Sequence, residues 1–194
     1  MMRRLAVTAV LAATLALAGC GDETEPKDDE PAGLLQRSDL PEVEDVTVSD
    51  QPRVTATTCP AMTSEWNLAV SEEFRSAEYQ LADGSLVRSS IQGPASGSDM
   101  IEPTFTRLAA MIDECAGTTL RNGTFERLDA LTDGQLGFVA TQENENGTQV
   151  TERAYARVDD QLAVSVTVVH TGDGEPAVSA ADLLPTAVER ASAA

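Results

Sequence analysis

The sequence predicts an α+β fold: an antiparallel β-sheet with two main amphipathic helices packed on one face. Three observations carry that expectation. Short β-branched stretches recur along the chain with Asn-Gly or Asp-Gly pairs between them, the pattern of hairpins. Two later stretches place apolar residues at helical spacing between capping and stop signals. Lastly, about 160 residues follow position 34 without a second change of composition, a comfortable length for one domain around one core.

The chain opens with Arg3 and Arg4, an apolar run of 13 residues from Leu5 to Leu17, and Leu17-Ala18-Gly19-Cys20. A cationic start, a short apolar run and a small-residue ending read as an export signal, too short to span a bilayer, which takes roughly 20 apolar residues. Leu17-Ala18-Gly19-Cys20 resembles the lipobox of bacterial lipoproteins. That resemblance implies cleavage after residue 19 and a diacylglyceryl group on Cys20, and two acyl chains hold a protein stably where one does not. The competing reading is a plain secretory signal that contains Cys20.

Without residues 1–19 the chain has 32 acids against 11 bases, a formal charge of −21. Such a surface repels phosphates, so nucleic acid is excluded as a partner, and anionic headgroups hold the domain off the bilayer. Residues 20–33 read as the lipidated cysteine and an acidic tether: six acids and two prolines in 21–33, with no aromatic or branched aliphatic side chain to bury. As a flexible coil it spans about 20 Å, and about 45 Å fully extended.

The domain then occupies 34–194. Leu34, Leu35 and Leu40 suggest a short turn stopped by Pro41, and Val43, Val46 and Val48 a strand. A β-branched stretch over 53–58 ends at Cys59-Pro60. Strands over 74–81 and 86–92 flank Asp83-Gly84, a two-residue link whose positive φ suits a tight hairpin. In the first of them Ala77, Tyr79 and Leu81 share a face.

Residues 93–98 read as a loop. Asp99 then caps a helix with Pro103 in its first turn and Phe105, Leu108, Ala109, Ile112 and Cys115 as its stripe, closed by Gly117. Phe105 and Met111 are core residues on this reading, with a ligand-lining role as the alternative. A β meander follows: 118–121 and 124–128 about Asn122-Gly123, then 136–142 and 149–158 about 144–147, then 162–170. In the last of these Val164, Val166 and Val168 face a helix, while Ala163, Ser165 and Thr167 face water. Ser179 to Asp182 carries a capping pattern. The helix it starts buries Leu183, Leu184, Ala187, Val188 and Ala191, with Pro185 near its start.

Export places Cys59 and Cys115 in an oxidising compartment, and with Cys20 acylated they are the last two thiols, so they are expected to pair. A reactive thiol or a metal site would be the alternatives, but there is no Cys-x-x-Cys and one histidine, His170. No metal and no cofactor are expected. Catalysis lacks a supporting pattern too: Gly93-Pro94-Ala95-Ser96-Gly97 misplaces the serine of a nucleophile elbow, and a hydrolase would require His170 to meet an activated serine. Asn144-Glu145-Asn146-Gly147 resembles a calcium loop, yet Arg153 stands where the bidentate Glu belongs, and the segment reads as a hairpin turn. Asp159-Asp160 and Glu72-Glu73 carry little information in so acidic a chain, and Asn122 and Asn146, although in glycosylation sequons, read as turn residues.

Cys59, the segment Ile112-Asp113-Glu114-Cys115-Ala116-Gly117, the late strands and Leu183-Leu184 together resemble the extracellular sensor domain of actinobacterial PknH-type receptor kinases and the lipoproteins that share it. The likeness runs from residue 34 to the end. It implies an antiparallel sheet with helices around a cleft and a ligand-sensing role, whereas this chain can form one disulfide in place of the kinase domain's two. No binding residue carries over. The expected function is a non-catalytic sensor or ligand-binding domain, anchored by the lipid on Cys20 to the extracytoplasmic face of the cell membrane. Its ligand would be a small molecule, a lipid or a protein. A protein-interaction module of the cell envelope is the alternative, and a small hydrolase the more distant one. An apolar cleft with a few converging polar groups would favour a small molecule or lipid, and a flat apolar patch a protein.

Overall fold

A computed structural model of the protein describes residues 30–51, Cys59, Met62, 74–95, 97–120 and 122–194. Their strands form one sheet: β1 (Val43–Ser49), β2 (Phe74–Leu81), β3 (Leu86–Gln92), β4 (Thr119–Leu120), β5 (Gly123–Arg127), β6 (Gln135–Asn144), β7 (Gly147–Arg157) and β8 (Ala163–Thr171). The helices are α1 (Glu102–Cys115) and α2 (Ala180–Ser192), with a 3-10 turn at Arg37–Asp39. The strand order is β1-β2-β3-β8-β7-β6-β5-β4, with antiparallel pairing throughout. The fold is therefore α+β. The lipobox with Cys20, the stretch 53–58 and Glu72-Glu73 lie outside the described residues.

Tight links set most of this order, because a short turn forces its two strands to be antiparallel neighbours. Residues 145–146 join β6 to β7, with Asn144 Oδ1 accepting from the Asn146 N–H at 2.8 Å. Between β2 and β3 the link is longer than the expected two residues. The Leu81 N–H donates to the Ser85 carbonyl at 2.9 Å and the Gly84 N–H to the Leu81 carbonyl at 3.0 Å. Only Gly84 takes positive φ there, +83°. Asp83 keeps an ordinary φ because its carboxylate accepts from the Ser85 N–H at 2.8 Å, an Asx turn that replaces the primed turn.

Each face of the sheet carries its own helix, which corrects the expectation that both share one. Ala154 pairs with Val166 and Ala156 with Val164, so these four side chains share a face, and Tyr155 with its partner Ser165 takes the other. α2 packs through Leu183, Leu184 and Ala187 on the first set, together with Tyr79, Val87 and Val168. α1 packs through Phe105, Leu108, Met111 and Ile112 on Phe125, Phe138, Ala140 and Tyr155. Phe125 and Phe138 stack there with centroids 4.6 Å apart. The aromatic residues of β5 to β7 give α1 an apolar floor of its own. As a consequence Ala163, Ser165 and Thr167 do not face water, being 2%, 4% and 2% exposed.

The helix ends depart from expectation in detail. Asp99 does not cap α1: Ile101 holds the N-cap position without a side-chain bond, and its N–H donates instead to the Asp160 carbonyl at 2.8 Å. Pro103 sits in the first turn as expected, and Phe105 and Met111 are core. Ser179 does cap α2, its hydroxyl accepting from the Asp182 N–H at 3.1 Å. A second anion helps, since Glu152 Oε1 accepts from the Ala181 N–H at 3.0 Å, where the helix dipole favours negative charge. Pro185 lies inside α2 rather than at its very start, on the exposed side, where water can reach the carbonyl its missing N–H leaves free.

Where the tether meets the domain, residues 30–33 are packed. Both carboxylate oxygens of Glu30 accept from the Arg37 N–H, at 3.0 and 3.1 Å. The Pro31 carbonyl accepts from the Leu34 N–H, and Gly33 is buried at φ +87°. Residues 30–33 are thus held by the residues that follow them.

Candidate functional site

Cys59 and Cys115 are bridged, with Cα atoms 5.9 Å apart. Both are buried in the cluster that α1 forms with the sheet, so the bridge fixes the end of α1 to the segment after β1. Among the described residues no group of three acidic, His or Cys side chains is placed to hold a metal ion, and no helix is long and apolar enough to cross a membrane.

His170 meets a serine that the sequence did not single out. Ser85 Oγ lies 3.0 Å from His170 Nδ1 and 3.0 Å from Asp83 Oδ2, and Asp83 Oδ2 also accepts from the Ala177 N–H at 2.9 Å. Slight burial raises the pKa of Asp83. The Ser85 and Ala177 N–H groups, the Ser85 hydroxyl and the charge of His170 outweigh that and hold it below the usual carboxylate value. An ionised Asp83 accepts only, so Ser85 donates to it and His170 Nδ1–H donates to Ser85. The proton order runs from histidine to serine to carboxylate, the reverse of a hydrolase triad, in which histidine takes the serine proton. Ser85 is also fully buried. The trio ties the β2–β3 turn to the end of β8 and the segment leading to α2.

A polar stripe crosses the sheet on the α1 face. By register Thr47, Glu78, Arg88, Thr167 and Arg153 stand side by side on five adjacent strands, and Ser49, Ser76, Ser90, Ser165 and Tyr155 form the next row. Arg88 pairs with Glu78 through Nε at 2.9 Å and through Nη2. The Ser90 and Ser165 hydroxyls are hydrogen-bonded at 2.7 Å, and Arg153 Nη2 donates to Ser165 Oγ at 3.4 Å with its guanidinium 4.9 Å from the Tyr155 ring centre. Burial pushes the Arg153 guanidinium down in pKa, opposed by Tyr155 and reinforced by Arg88, and pushes the Tyr155 phenol up to about 12. Members of the stripe answer one another, which suits a network that fixes strand register within a buried layer. Sequence spacing did contain a signal for it, Arg153 and Tyr155 two apart on β7, but not the identity of the facing strands.

Among the described residues, a recess with room for a ligand lies at the opposite end of the sheet from His170. A recess of about 590 Å³ opens where β2 begins, β3 ends and β8 begins, beneath the C-terminal end of α2. Ile91, Leu162 and Ala191 form its apolar wall, Ala32 and Gly33 close it, Phe74 borders it where β2 begins, and Arg75 and Asp50 stand at its edge. Alternation aims Arg75 to the α2 side of the sheet, as it does Ala77 and Tyr79, and its partner on β3 is Ile91. Gly33 is required here: a Cβ would approach the Ala194 methyl to 3.2 Å, and φ +87° disfavours any other residue. The volume lies within the roughly 300–1,000 Å³ of small-molecule sites, and an apolar wall with few polar groups is their usual composition. Sequence reading missed Arg75, Asp50 and Phe74 because they border a strand end and gain meaning only from what α2 and residues 32–33 bring over them. A scan of the chain against protein-family models finds no match, and neither does a search of curated proteins.

Proposed function

We propose that this protein is a lipid-anchored, extracytoplasmic ligand-binding domain that performs no chemistry on what it binds. The recess walled by Ile91, Leu162 and Ala191 carries the reading, because it joins an apolar interior to two charged groups at its edge. The signal and the Leu17 to Cys20 sequence support the anchor. An apolar docking patch has less support, since among the described residues the exposed large hydrophobics are Val48 and Met100, which stand singly. The reversed proton order at Ser85 and His170 offers no activated nucleophile.

Two measurements test the reading. Cys20→Ser should shift the protein from the membrane pellet to the soluble fraction, and full pelleting of the variant would refute the anchor. Native mass spectrometry of the extracted protein should show a non-covalent small molecule that Ala32→Trp and Ala194→Trp, which fill the recess from exposed wall positions, eliminate. Equal occupancy in both variants would refute the recess as the site.

A further inference from the structure

We infer that the recess takes a zwitterionic amphiphile, its anionic group on Arg75, its cationic group near Asp50 and the end of α2, and its apolar body against Ile91, Leu162 and Ala191. The inference rests on the ligand-binding reading above and names the chemistry of that site. Ser49 pairs with Ser76, so the next step of the ladder sets Asp50 opposite Arg75 at the edge of the recess. Among the described residues neither side chain is engaged in an ion pair, and both are exposed, so each stays available to a ligand group. Arg75 presents a planar fork of donors suited to a phosphate or carboxylate. The C-terminal end of α2 lines the same recess through Ala191, with Ala194 just beyond the helix, and the final carbonyls of a helix run short of N–H partners. That end of a helix attracts positive charge, as does Asp50. A purely anionic amphiphile would meet Arg75 but also Asp50, the helix end and a chain of charge −19 before processing. A purely cationic one would meet Arg75 unpaired. An amphiphile with both charges answers both, and the apolar wall accepts its chain.

The test uses the chain from residue 20 with Cys20→Ser, purified without detergent, and three probes with twelve-carbon chains below their micelle concentrations: lauroyl lysophosphatidylethanolamine, lauroyl lysophosphatidylglycerol and dodecylammonium. By calorimetry the zwitterion is expected to bind about tenfold tighter than either singly charged probe, a difference of about 1.4 kcal/mol. Arg75→Gln should bring the zwitterion down to the level of dodecylammonium, and Asp50→Asn to that of the anion. Ala32→Trp and Ala194→Trp should abolish binding of all three, with unchanged melting as the check on folding. If the probes bind in the recess, as judged by loss in the Trp variants, but with equal affinity or unaffected by Arg75→Gln and Asp50→Asn, the zwitterion inference fails and the ligand-binding reading stands. If no probe binds, or the Trp variants bind as well as the parent chain, both fail.

Discussion

Single side chains at the N-terminal end hold the chain to the sheet. The Tyr79 hydroxyl donates to the Leu35 carbonyl in a fully buried setting, while the Leu35 N–H donates to Ser89 Oγ at 3.2 Å. Burial first, then the Glu30 and Asp39 carboxylates, hold the phenol well above its ordinary pKa, so it remains a donor. Tyr79→Phe would leave that carbonyl only the longer contact from Gln36 Nε2 at 3.4 Å, and we expect a loss of about 0.5 to 1.5 kcal/mol in urea unfolding, the net worth of one hydrogen bond. An unchanged midpoint would mean that Gln36 alone satisfies Leu35. Asp39 gives a pH-dependent counterpart. Partial burial raises its pKa, but the hydrogen bond from Arg190, the Gln36 N–H and the Arg190 charge together bring it below 3.8. Arg190 makes two contacts, Nη2 to Oδ1 at 2.6 Å and Nε to Oδ2 at 3.1 Å. A carboxylate with a depressed folded pKa stabilises above its unfolded pKa and loses that contribution as pH falls through the folded one. Asp39→Asn and, for the same reason, Asp83→Asn should each be less stable than the parent at pH 7. The gap should close below about pH 4. A gap that persists at pH 2 would place the effect in packing, not ionisation.

At the scale of elements, α1 is held by its apolar stripe, by the Ile101 N–H on the β7–β8 turn, and by the bridge at its last residue. The bridge joins positions 56 apart, and closing a loop of that size is worth about 4 kcal/mol on the chain-entropy model. Replacing Cys59 and Cys115 together by Ala should therefore lower stability by about 2 to 4 kcal/mol and leave the far-ultraviolet circular dichroism and lauroyl-lipid binding in place, since the recess lies on the other face. A parallel loss of binding would connect α1 to the recess. Alkylation of the denatured, unreduced protein checks the bridge itself: label on either cysteine would refute it. Helix positions and stripes were legible because a period of 3.6 with a cap and a glycine stop is local information. Caps were less so. Asp99 looked suitable at the start of α1, but a tertiary contact, the Asp160 carbonyl, fixed that start two residues later.

For the molecule as a whole, the tether and the recess are connected. Ala32 and Gly33 wall the recess, while Glu30 and Pro31, immediately before them, accept from the N–H groups of Arg37 and Leu34. A chain beginning at Ala32 loses those acceptors, so we expect it to melt several degrees below one beginning at residue 20. For a domain of this size 1 kcal/mol corresponds to roughly 2 to 4 °C. Identical melting would show that residues 30–31 contribute nothing to the fold. The expected boundary at 34 follows from the rise in hydrophobicity there. Glu30 belongs to the fold for a reason hydrophobicity does not register, namely backbone N–H groups that need acceptors.

By itself the sequence determined the α+β class, the β2–β3 pair and the meander, the two amphipathic helices and the cysteine pairing. Each follows from near-neighbour chemistry: side-chain period, turn residues, caps, and thiol parity in a chain read as exported. Tertiary structure decided which face each helix covers, and with it the burial of Ser165, Thr167 and Arg153 on the α1 face. It also brought Ser85 to His170, and Arg75 to the recess under α2. The physical reason lies in β3 pairing with β8, a contact between strands far apart in the chain. A strand's alternation shows that it has two faces, but what covers each face depends on elements whose positions are fixed only once distant strands have paired.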